Sequence, residues 1–267
     1  MANEVYSQSW WGNGVCDNTI DWGIDYYDEA GCSPAFTNQY SMILDGIDEG
    51  FIVARNPSFY NTSIVSISIW FKTTSVVSPY PRIYGQGFQY ISLLNSNRIR
   101  WRCYETSSGT RIDDMIRTAP TTFTDGNWHH IMCVMNTTGA PTTSRQAIYY
   151  DGALVDERVP NGLAINNELA FGVGCNYIAS GQYFNGSVDE VARWHDTDQS
   201  ANVSAIYNGG TPTDLNTLPT QPTNWWRMGD GATWSGIDWQ VPNVGIDTST
   251  TLRSINVEQA DRQTDTP

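Results

Sequence analysis

The stretch YSMILDGID at residues 40–48 opens the part of the chain that decides the fold, and two motifs continue it: DGNWHH at residues 125–130 and FNGSVDEV at residues 184–191. Each motif lies beside a run in which apolar and polar residues alternate, as in a strand with one buried face. Between two such runs, YYDGAL at residues 149–154 suits a type I′ hairpin turn. These features predict antiparallel β-structure.

The same alternation predicts an all-β protein with one short helix. The helix is expected after Asp198, which can cap it, and Gly209-Gly210 can end it. A linker rich in Thr and Pro follows at residues 211–223, and a last strand and turn are predicted at residues 224–231. Many short strands favour a β-sandwich. The predicted strands are 40–44, 51–53, 64–71, 88–94, 98–104, 128–135, 147–150, 153–159, 169–173 and 188–194.

The bulk composition restricts the partners. The chain of 267 residues has a net charge of −14 and a pI near 4.4, and Lys72 is its only lysine. Such a composition offers little basic surface to replace phosphate counterions, so no nucleic-acid partner is expected. No run approaches the length of apolar residues that a membrane span needs. A partner is therefore sought among proteins and glycans.

Cysteine usage and the amino terminus predict synthesis in a reducing cytoplasm. The five cysteines are an odd number without a Cys-x-x-Cys pair, which argues against a disulfide framework and against a zinc site. Free buried thiols are the expected state. The opening residues, MANEV at 1–5, lack the basic segment and the apolar stretch of a signal peptide.

In this order and with these separations, the three motifs resemble those of laminin G-like and pentraxin-like domains in the concanavalin A-like jelly-roll superfamily. The resemblance covers residues 39–210. It implies a two-sheet antiparallel jelly-roll sandwich with one curved face and extended terminal arms. Residues 1–38 are then an N-terminal aromatic arm, and residues 211–267 are a C-terminal extension that packs on the sandwich or on a neighbouring subunit. It does not imply an enzyme, because this fold carries many functions.

The resemblance also implies a possible calcium site, since some relatives hold this ion with loop carboxylates and backbone carbonyls. Asp45 and Asp189 are the candidate ligands, because they would meet if the first and last strands of the domain pair. Asp48, Glu49 and Glu190 complete the two acidic clusters. The alternative is that Asp45 closes a turn and that Asp189 accepts backbone or arginine hydrogen bonds inside the sandwich.

Catalytic constellations are absent from the sequence. The Glu-x-Asp-x-x-Glu strand of the superfamily's glucanases does not occur, and neither does a Gly-x-Ser-x-Gly elbow. The acidic pairs at residues 113–114 and 156–157 are interpreted as solvated turn or hairpin residues. A structural role is expected for His129 and His130. We therefore expect no catalytic residues.

Large aromatic residues outside the motifs point to a partner. Trp10 and Trp11 lie in the N-terminal arm, Trp225 and Trp226 lie in the C-terminal extension, and all four need something to bury them. They could fold back over the sandwich, stack on sugars or anchor another subunit. An acidic, lysine-poor jelly roll with such arms resembles the laminin G-like proteins of tailed-bacteriophage particles.

That resemblance implies a non-enzymatic structural and adhesive virion protein, acting as a head decoration, fibre or tail appendage. Its partners would be other virion proteins, copies of itself and, through a lectin-like face, host-surface glycans. The alternative is a stand-alone carbohydrate-binding lectin module. A hydrolase of the glucanase branch is the third hypothesis, and the missing catalytic strand speaks against it.

Overall fold

The computed structural model describes residues 36–56, 62–87, 89–104, 111–138, 144–160, 170–176 and 178–267, without the side chains of residue 104 and residues 111–113. The chain divides into two units, Met1–Thr37 and Asn38–Pro267, and the second is the sandwich. The predicted N-terminal arm therefore lies almost entirely outside the described residues. No helix in the described ranges is long and apolar enough to cross a membrane.

The secondary structure is almost entirely strand, as predicted. The elements are β1 (Ser41–Asp45), β2 (Gly50–Val53), β3 (Ile64–Lys72), β4 (Arg82–Gln86), β5 (Gln89–Leu94), β6 (Arg98–Tyr104), β7 (Arg111–Thr118), β8 (Trp128–Asn136), β9 (Arg145–Tyr150), β10 (Ala153–Arg158), β11 (Phe171–Val173), β12 (Asn185–His195), α1 (Val203–Tyr207), β13 (Asn224–Trp226), β14 (Thr233–Trp234), β15 (Trp239–Pro242), β16 (Thr251–Ile255) and β17 (Arg262–Gln263).

The strands form two antiparallel sheets that pack as a sandwich. Within the described ranges, sheet A has the order β10-β9-β8-β3-β12-β1-β17, and β13 also pairs with β12. Sheet B, in the same ranges, has the order β14-β15-β16-β2-β11-β4-β5-β6-β7. The all-β two-sheet prediction is confirmed. Neighbouring strands in both sheets are often far apart in sequence, so non-local pairing dominates the fold.

The core lies between the sheets and follows from the alternation in the strands. In β3, Val65, Ile67, Ile69 and Phe71 point inward and are fully buried. In β6, Ile99, Trp101 and Cys103 do the same from the opposite sheet. The intervening β6 residues are arginines that face outward, which leaves one face of that strand apolar and the other cationic.

The outer face of sheet A is covered by the short helix and by the segment that follows it. Trp70, on the outward side of β3, stacks on Tyr207 of α1 with ring centroids 5.6 Å apart. Leu215, in the segment predicted as a linker, is 4% exposed and packs near Trp70 and Ile206. Because both faces of β3 are thereby covered, that strand is buried almost throughout.

Residues 211–267 complete both sheets. β13 pairs with β12 in sheet A, and β17 pairs with β1 at its edge. β16 pairs with β2 in sheet B, and β15 and β14 continue outward from β16. The whole stretch from Asn38 to Pro267 is accordingly one compact unit.

Three local predictions concern the short helix, the acidic pair at residues 113–114 and the free cysteines. The short helix forms as α1, after a 3-10 turn at Ser200–Asn202 whose Ser200 N–H donates to Asp198 Oδ1 at 3.0 Å. The acidic pair at residues 113–114 was expected in a solvated turn, but it lies within β7. The reason is that Asp114 forms a two-point ion pair with Arg100 of β6, which holds its side chain at 11% exposure. Cys103, Cys133 and Cys175 are free and buried, as predicted.

Candidate functional site

Two carboxylates close the turn between β1 and β2. Asp45 Oδ1 accepts hydrogen bonds from the N–H groups of Ile47 at 2.7 Å and Asp48 at 3.4 Å. Glu49 Oε2 accepts the N–H of Asp45 at 2.7 Å. Gly46 has a φ of 75°, and a Cβ there would lie 2.7 Å from the Asn185 Cβ, so the position requires glycine. The first motif is therefore a turn held by side-chain acceptors, which was one of the two alternatives.

β1 and β12 pair as the calcium hypothesis required, but their register keeps Asp45 and Asp189 apart. Asp45 lies opposite Asn185, and Met42 lies opposite Val188. Asp189 is thus four residues further along β12 than the partner of Asp45, a separation of about 13 Å at the usual rise of a strand. In the described residues, no group of three or more His, Cys, Asp and Glu side chains could hold a metal ion. This geometry corrects the prediction that Asp45 and Asp189 share a calcium ion.

Asp189 and Glu190 form a bulge at the point where β12 changes its neighbour. The register of β12 against β3 shifts between Asp189 and Ala192, and Glu190 has a φ of 47°. On the other edge of β12, pairing with β1 ends at Val188 and pairing with β13 begins at Val191. The bulge therefore fills the junction between two strands that share one edge of β12.

The two carboxyl groups bind the segments that meet at this junction. Asp189 Oδ2 lies 2.9 Å from the Asn38 amide nitrogen, and Asp189 Oδ1 accepts the N–H of Glu190 at 2.8 Å. Glu190 accepts from Trp225 Nε1 at 2.5 Å and from Arg227 Nε at 3.0 Å. These contacts link the start of the sandwich, β12 and the C-terminal extension.

Burial controls the charge of both groups. Burial raises the pKa of Asp189 well above its usual range, and the neighbouring Glu190 carboxylate raises it further. Burial also raises the pKa of Glu190 to about 7, against the opposing effects of Arg227 and Trp225. Because burial favours the protonated form of Asp189, this carboxyl group is a poor ligand for a cation. The second acidic cluster is therefore a structural junction.

Trp225 and Trp226 are both buried within the chain. Trp225 is 2% exposed and donates to Glu190, whereas Trp226 is fully buried in the core and stacks on Phe171 at 5.1 Å. Successive strand residues point to opposite faces, so one tryptophan serves each side of sheet A. Their burial corrects the prediction that they contact a partner subunit. Trp10 and Trp11, the other two predicted partner contacts, lie outside the described residues.

The histidines of the second motif are parts of the scaffold. His129 Nδ1 lies 2.8 Å from Asp151 and its Nε2 lies 3.1 Å from Asp125. Burial would lower the pKa of His129, but hydrogen bonds to Asp151 and Asp125 outweigh it and raise the pKa. His130 Nε2 lies 2.7 Å from Ser68 Oγ, and burial lowers the pKa of His130 to about 4. This serine-histidine pair is buried, which favours a structural role.

A cleft of about 310 Å³ lies beside the Asp45 turn. Its lining comes from the end of β1, the end of β3, the start of β12 and the turn before β17. Ile43, which is 39% exposed, supplies apolar surface there, whereas Leu44 borders the cleft but is 1% exposed and belongs to the core. The polar lining residues are Asp45, Glu49, Lys72, Thr73, Thr74, Asn185, Ser187 and Asp261. The cleft thus combines an apolar wall with hydroxyl, amide and carboxylate groups.

Glu49 is the titratable group of the cleft with a raised pKa. Burial raises the pKa of its carboxyl to about 7, the N–H of Asp45 opposes this, and the Asp261 carboxylate adds to it. Lys72 Nζ, at the other side of the cleft, contacts Asp265 at 2.6 Å. Near pH 7 the cleft therefore changes its charge with small changes of pH.

The sequence indicated only part of this cleft. Asp45 and Glu49 were singled out, and Asn185 lies in the FNGSVDEV motif, but Thr73, Thr74 and Asp261 carried no signal. Asp261 lies in the polar tail, and its approach depends on the pairing of β17 with β1. Long-range pairing of this kind cannot be read from local patterns.

Comparison with known proteins agrees with this architecture. The model of the concanavalin A-like lectin/glucanases superfamily matches residues 45–204. No curated protein sequence matches the chain. Among solved structures, a candidate carbohydrate-binding protein from Bacteroides ovatus superposes with a TM-score of 0.63 at 11% identity. The similarity covers 87% of this chain and 62% of that one, so the chain spans less than two thirds of the Bacteroides protein.

Two weaker structural similarities are to a pentraxin and to a pair of laminin G domains. The heptameric SAP-like pentraxin of Limulus polyphemus gives a TM-score of 0.48 at 10% identity, over 64% of this chain and 82% of that one. Domains LG4-5 of the mouse laminin alpha1 chain give 0.42 at 13% identity, over 61% of this chain and 43% of that one.

Proposed function

Because the chain belongs to the concanavalin A-like lectin/glucanases superfamily, we propose that it is a non-enzymatic glycan-binding protein whose cleft beside Asp45 holds a saccharide. The observation that carries this proposal is the composition of the cleft. A sugar ring presents an apolar face and a rim of hydroxyl groups, so its site needs both kinds of surface. Ile43 offers the first, and the hydroxyl, amide and carboxylate groups around it offer the second.

The size and position of the cleft suit one or two sugar units. Its volume of about 310 Å³ lies at the lower end of the range for small-ligand sites. It is built on the ends of β1, β3 and β12, which are long-range partners in one sheet. A site on paired strands is held more rigidly than a site on a loop.

Removing the apolar wall tests the cleft. In Ile43→Ala, we expect the affinity for a neutral oligosaccharide that binds the wild type to fall about tenfold, because burial of one aliphatic side chain contributes roughly that much. Leu154→Ala is the matched control, since Leu154 is an exposed strand residue of the same sheet outside the cleft. Isothermal titration compares them. Equal affinities for wild type, Ile43→Ala and Leu154→Ala would reject the cleft as the site.

Hydrolysis is the second candidate, because Glu49 has a raised pKa and Asp45 and Asp261 lie beside it. A glycosidase uses one carboxyl group as an acid and a second as base or nucleophile. Glu49 instead accepts the Asp45 N–H and hydrogen-bonds to Asp261, which favours a role in closing the turn. Mass spectrometry of an oligosaccharide incubated with the chain decides. We expect an unchanged oligosaccharide, and cleavage that disappears in Glu49→Gln would establish hydrolysis.

We propose, more narrowly, that the chain serves as a structural and adhesive component of a bacteriophage particle. The support is compositional: an acidic chain with a single lysine and an aromatic-rich first 38 residues. Proteomics of purified particles and the mass of the isolated chain test this. We expect the chain to be recovered in particles or to form a closed homo-oligomer in isolation. If the chain is a monomer, is absent from particles and binds sugars, the stand-alone lectin is favoured.

A further inference from the structure

Strand β6 carries an unusual row of arginines on the outer face of sheet B. Its sequence RIRWRCY places Arg98, Arg100 and Arg102 outward, while the residues between them are buried in the core. Arg102 lies opposite Tyr90 of β5 on one side and opposite Asp114 of β7 on the other. The β-sheet itself therefore fixes the spacing of the three guanidinium groups.

Tyr90, which is 6% exposed, lies against the guanidinium groups of this surface. The Arg82 guanidinium carbon lies 4.0 Å from the centroid of the Tyr90 ring, and Arg102 Nη1 donates to the Tyr90 hydroxyl at 2.8 Å. Arg100 lies 5.8 Å from the same ring and 5.7 Å from the ring of Tyr80, which is 48% exposed. We call Tyr80, Arg82, Tyr90, Arg98, Arg100 and Arg102 the arginine face.

The arginine face is a local exception to the charge of the chain. The whole chain has 14 basic residues against 28 acidic ones, yet four of the basic residues lie on this part of one sheet. Asp114 balances part of this charge, since it pairs with Arg100 and lies 3.8 Å from Arg102 Nε. Screening at physiological salt limits the influence of distant carboxylates to roughly 8 Å, so the groups of the face itself decide what approaches.

One arginine of the face, Arg100, already binds a carboxylate of the chain, that of Asp114. Arg100 Nε donates to Asp114 Oδ1 at 2.7 Å, and Arg100 Nη2 contacts Asp114 Oδ2. Arg102 Nε lies 3.8 Å from the same carboxylate. This two-point geometry is the one that a guanidinium group offers to any carboxylate. Asp114 occupies this edge of Arg100, so a ligand carboxylate at the same place has to compete with Asp114.

We propose that the arginine face binds an acidic saccharide, with a uronic-acid carboxylate against the guanidinium groups and a sugar ring against Tyr80. The inference rests on the proposed glycan-binding function and assigns a ligand class to a second surface, on the sheet opposite the Asp45 cleft. The exposed ring of Tyr80 supplies the stacking surface. The ligand charge supplies the selectivity over neutral sugars.

The test is titration of the full chain with a galacturonic acid tetramer and with its methyl ester, in which each carboxylate is replaced by an uncharged ester. We expect the acid to bind about tenfold more tightly than the ester, as for loss of one charged hydrogen bond. Arg102→Gln should weaken binding of the acid by about the same factor. Arg253→Gln, an exposed arginine of β16 in the same sheet, is the control and should bind normally.

A variant that is expected to bind more tightly distinguishes a loss of ligand contacts from a loss of folding. Asp114→Asn removes the carboxylate that Arg100 now engages, so affinity for the acid should rise severalfold, and affinity for the ester should not change. Equal binding of acid and ester would overturn this inference and leave glycan binding intact. Binding of a sulfated oligosaccharide without the acid would also overturn it. Failure of every oligosaccharide tested to bind would remove both this inference and the proposed function.

Discussion

Asp189 and Glu190 place two carboxyl groups side by side in a fully buried junction. The sequence made Asp189 a candidate calcium ligand and placed Glu190 in the same acidic cluster, because oxygen-rich acidic segments are typical of calcium sites. What the sequence could not give is the bulge at Glu190, which turns Asp189 toward Asn38 and Glu190 toward Trp225 and Arg227. A one-residue shift in pairing changes the neighbours of every later side chain.

Replacing Asp189 by asparagine tests its protonation. The raised pKa of Asp189 means that its contribution to stability is complete at low pH and is lost as the pH rises through the folded-state pKa. Asp189→Asn should therefore raise the free energy of unfolding at pH 8 by about 1 kcal/mol and change it little at pH 4. Urea denaturation at both pH values measures this. Asp48→Asn, at an exposed position, should change neither value, and a destabilised Asp189→Asn at pH 8 would contradict the account.

His129 gives a second dependence of the unfolding free energy on pH. Its pKa is raised by Asp151 and Asp125 against the effect of burial, so the stability it contributes is present below pH 6.5 and lost as the pH rises through the folded-state pKa. The stability difference between wild type and His129→Gln should therefore shrink from pH 6 to pH 9. In His195→Gln the difference should change in the opposite direction, because burial and Arg193 lower the pKa of His195. Parallel curves for wild type and His129→Gln would contradict the assignment.

At the scale of elements, alternation and turn signals located most strands of the domain. The predicted strands at residues 64–71, 98–104 and 128–135 agree closely with β3, β6 and β8. β7 was missed because adjacent Asp113 and Asp114 interrupt its alternation, and β4 because it is short and contains Gly85. The strands after β13 were missed because their apolar residues are few and widely spaced. These strands form because they pair with neighbouring strands, and that pairing is not visible in their local sequence.

The C-terminal extension is expected to be essential to the sandwich. Truncation after Gly210 removes β13 to β17 and with them Trp226, Trp239 and Leu252 from the core. We expect the truncated chain to lose cooperative thermal unfolding and to aggregate, because β2 and β12 would present open edges. Circular dichroism and size-exclusion chromatography measure this. A soluble fragment with a sharp unfolding transition would show that residues 39–210 fold alone.

A point substitution gives a graded version of the same test. Trp226→Ala should lower the free energy of unfolding by about 3–5 kcal/mol, because it leaves a large cavity beside Phe171. Trp234, which is only partly buried against the core, is the matched position. Trp234→Ala should cost clearly less, and equal costs would contradict the placement of Trp226 between the sheets.

At the scale of the whole molecule, the sandwich offers two unlike surfaces on its two sheets. The Asp45 cleft is acidic and lies on sheet A, whereas the arginine face is cationic and lies on sheet B. The net charge of −14 gave no indication of the second surface, because it averages over both. The family could be predicted from three motifs, since they encode turns that the fold requires. The two proposed binding surfaces could not, because each collects residues from three or more strands.

Glycan binding by this chain can be measured by probing an array of neutral and acidic oligosaccharides with the labelled full chain at physiological salt. We expect selective retention on a subset of glycans, with stronger retention on acidic saccharides than on their neutral counterparts and loss of the signal when the chain is unfolded. Retention on no glycan above the signal of the unfolded chain would show that the chain does not bind glycans.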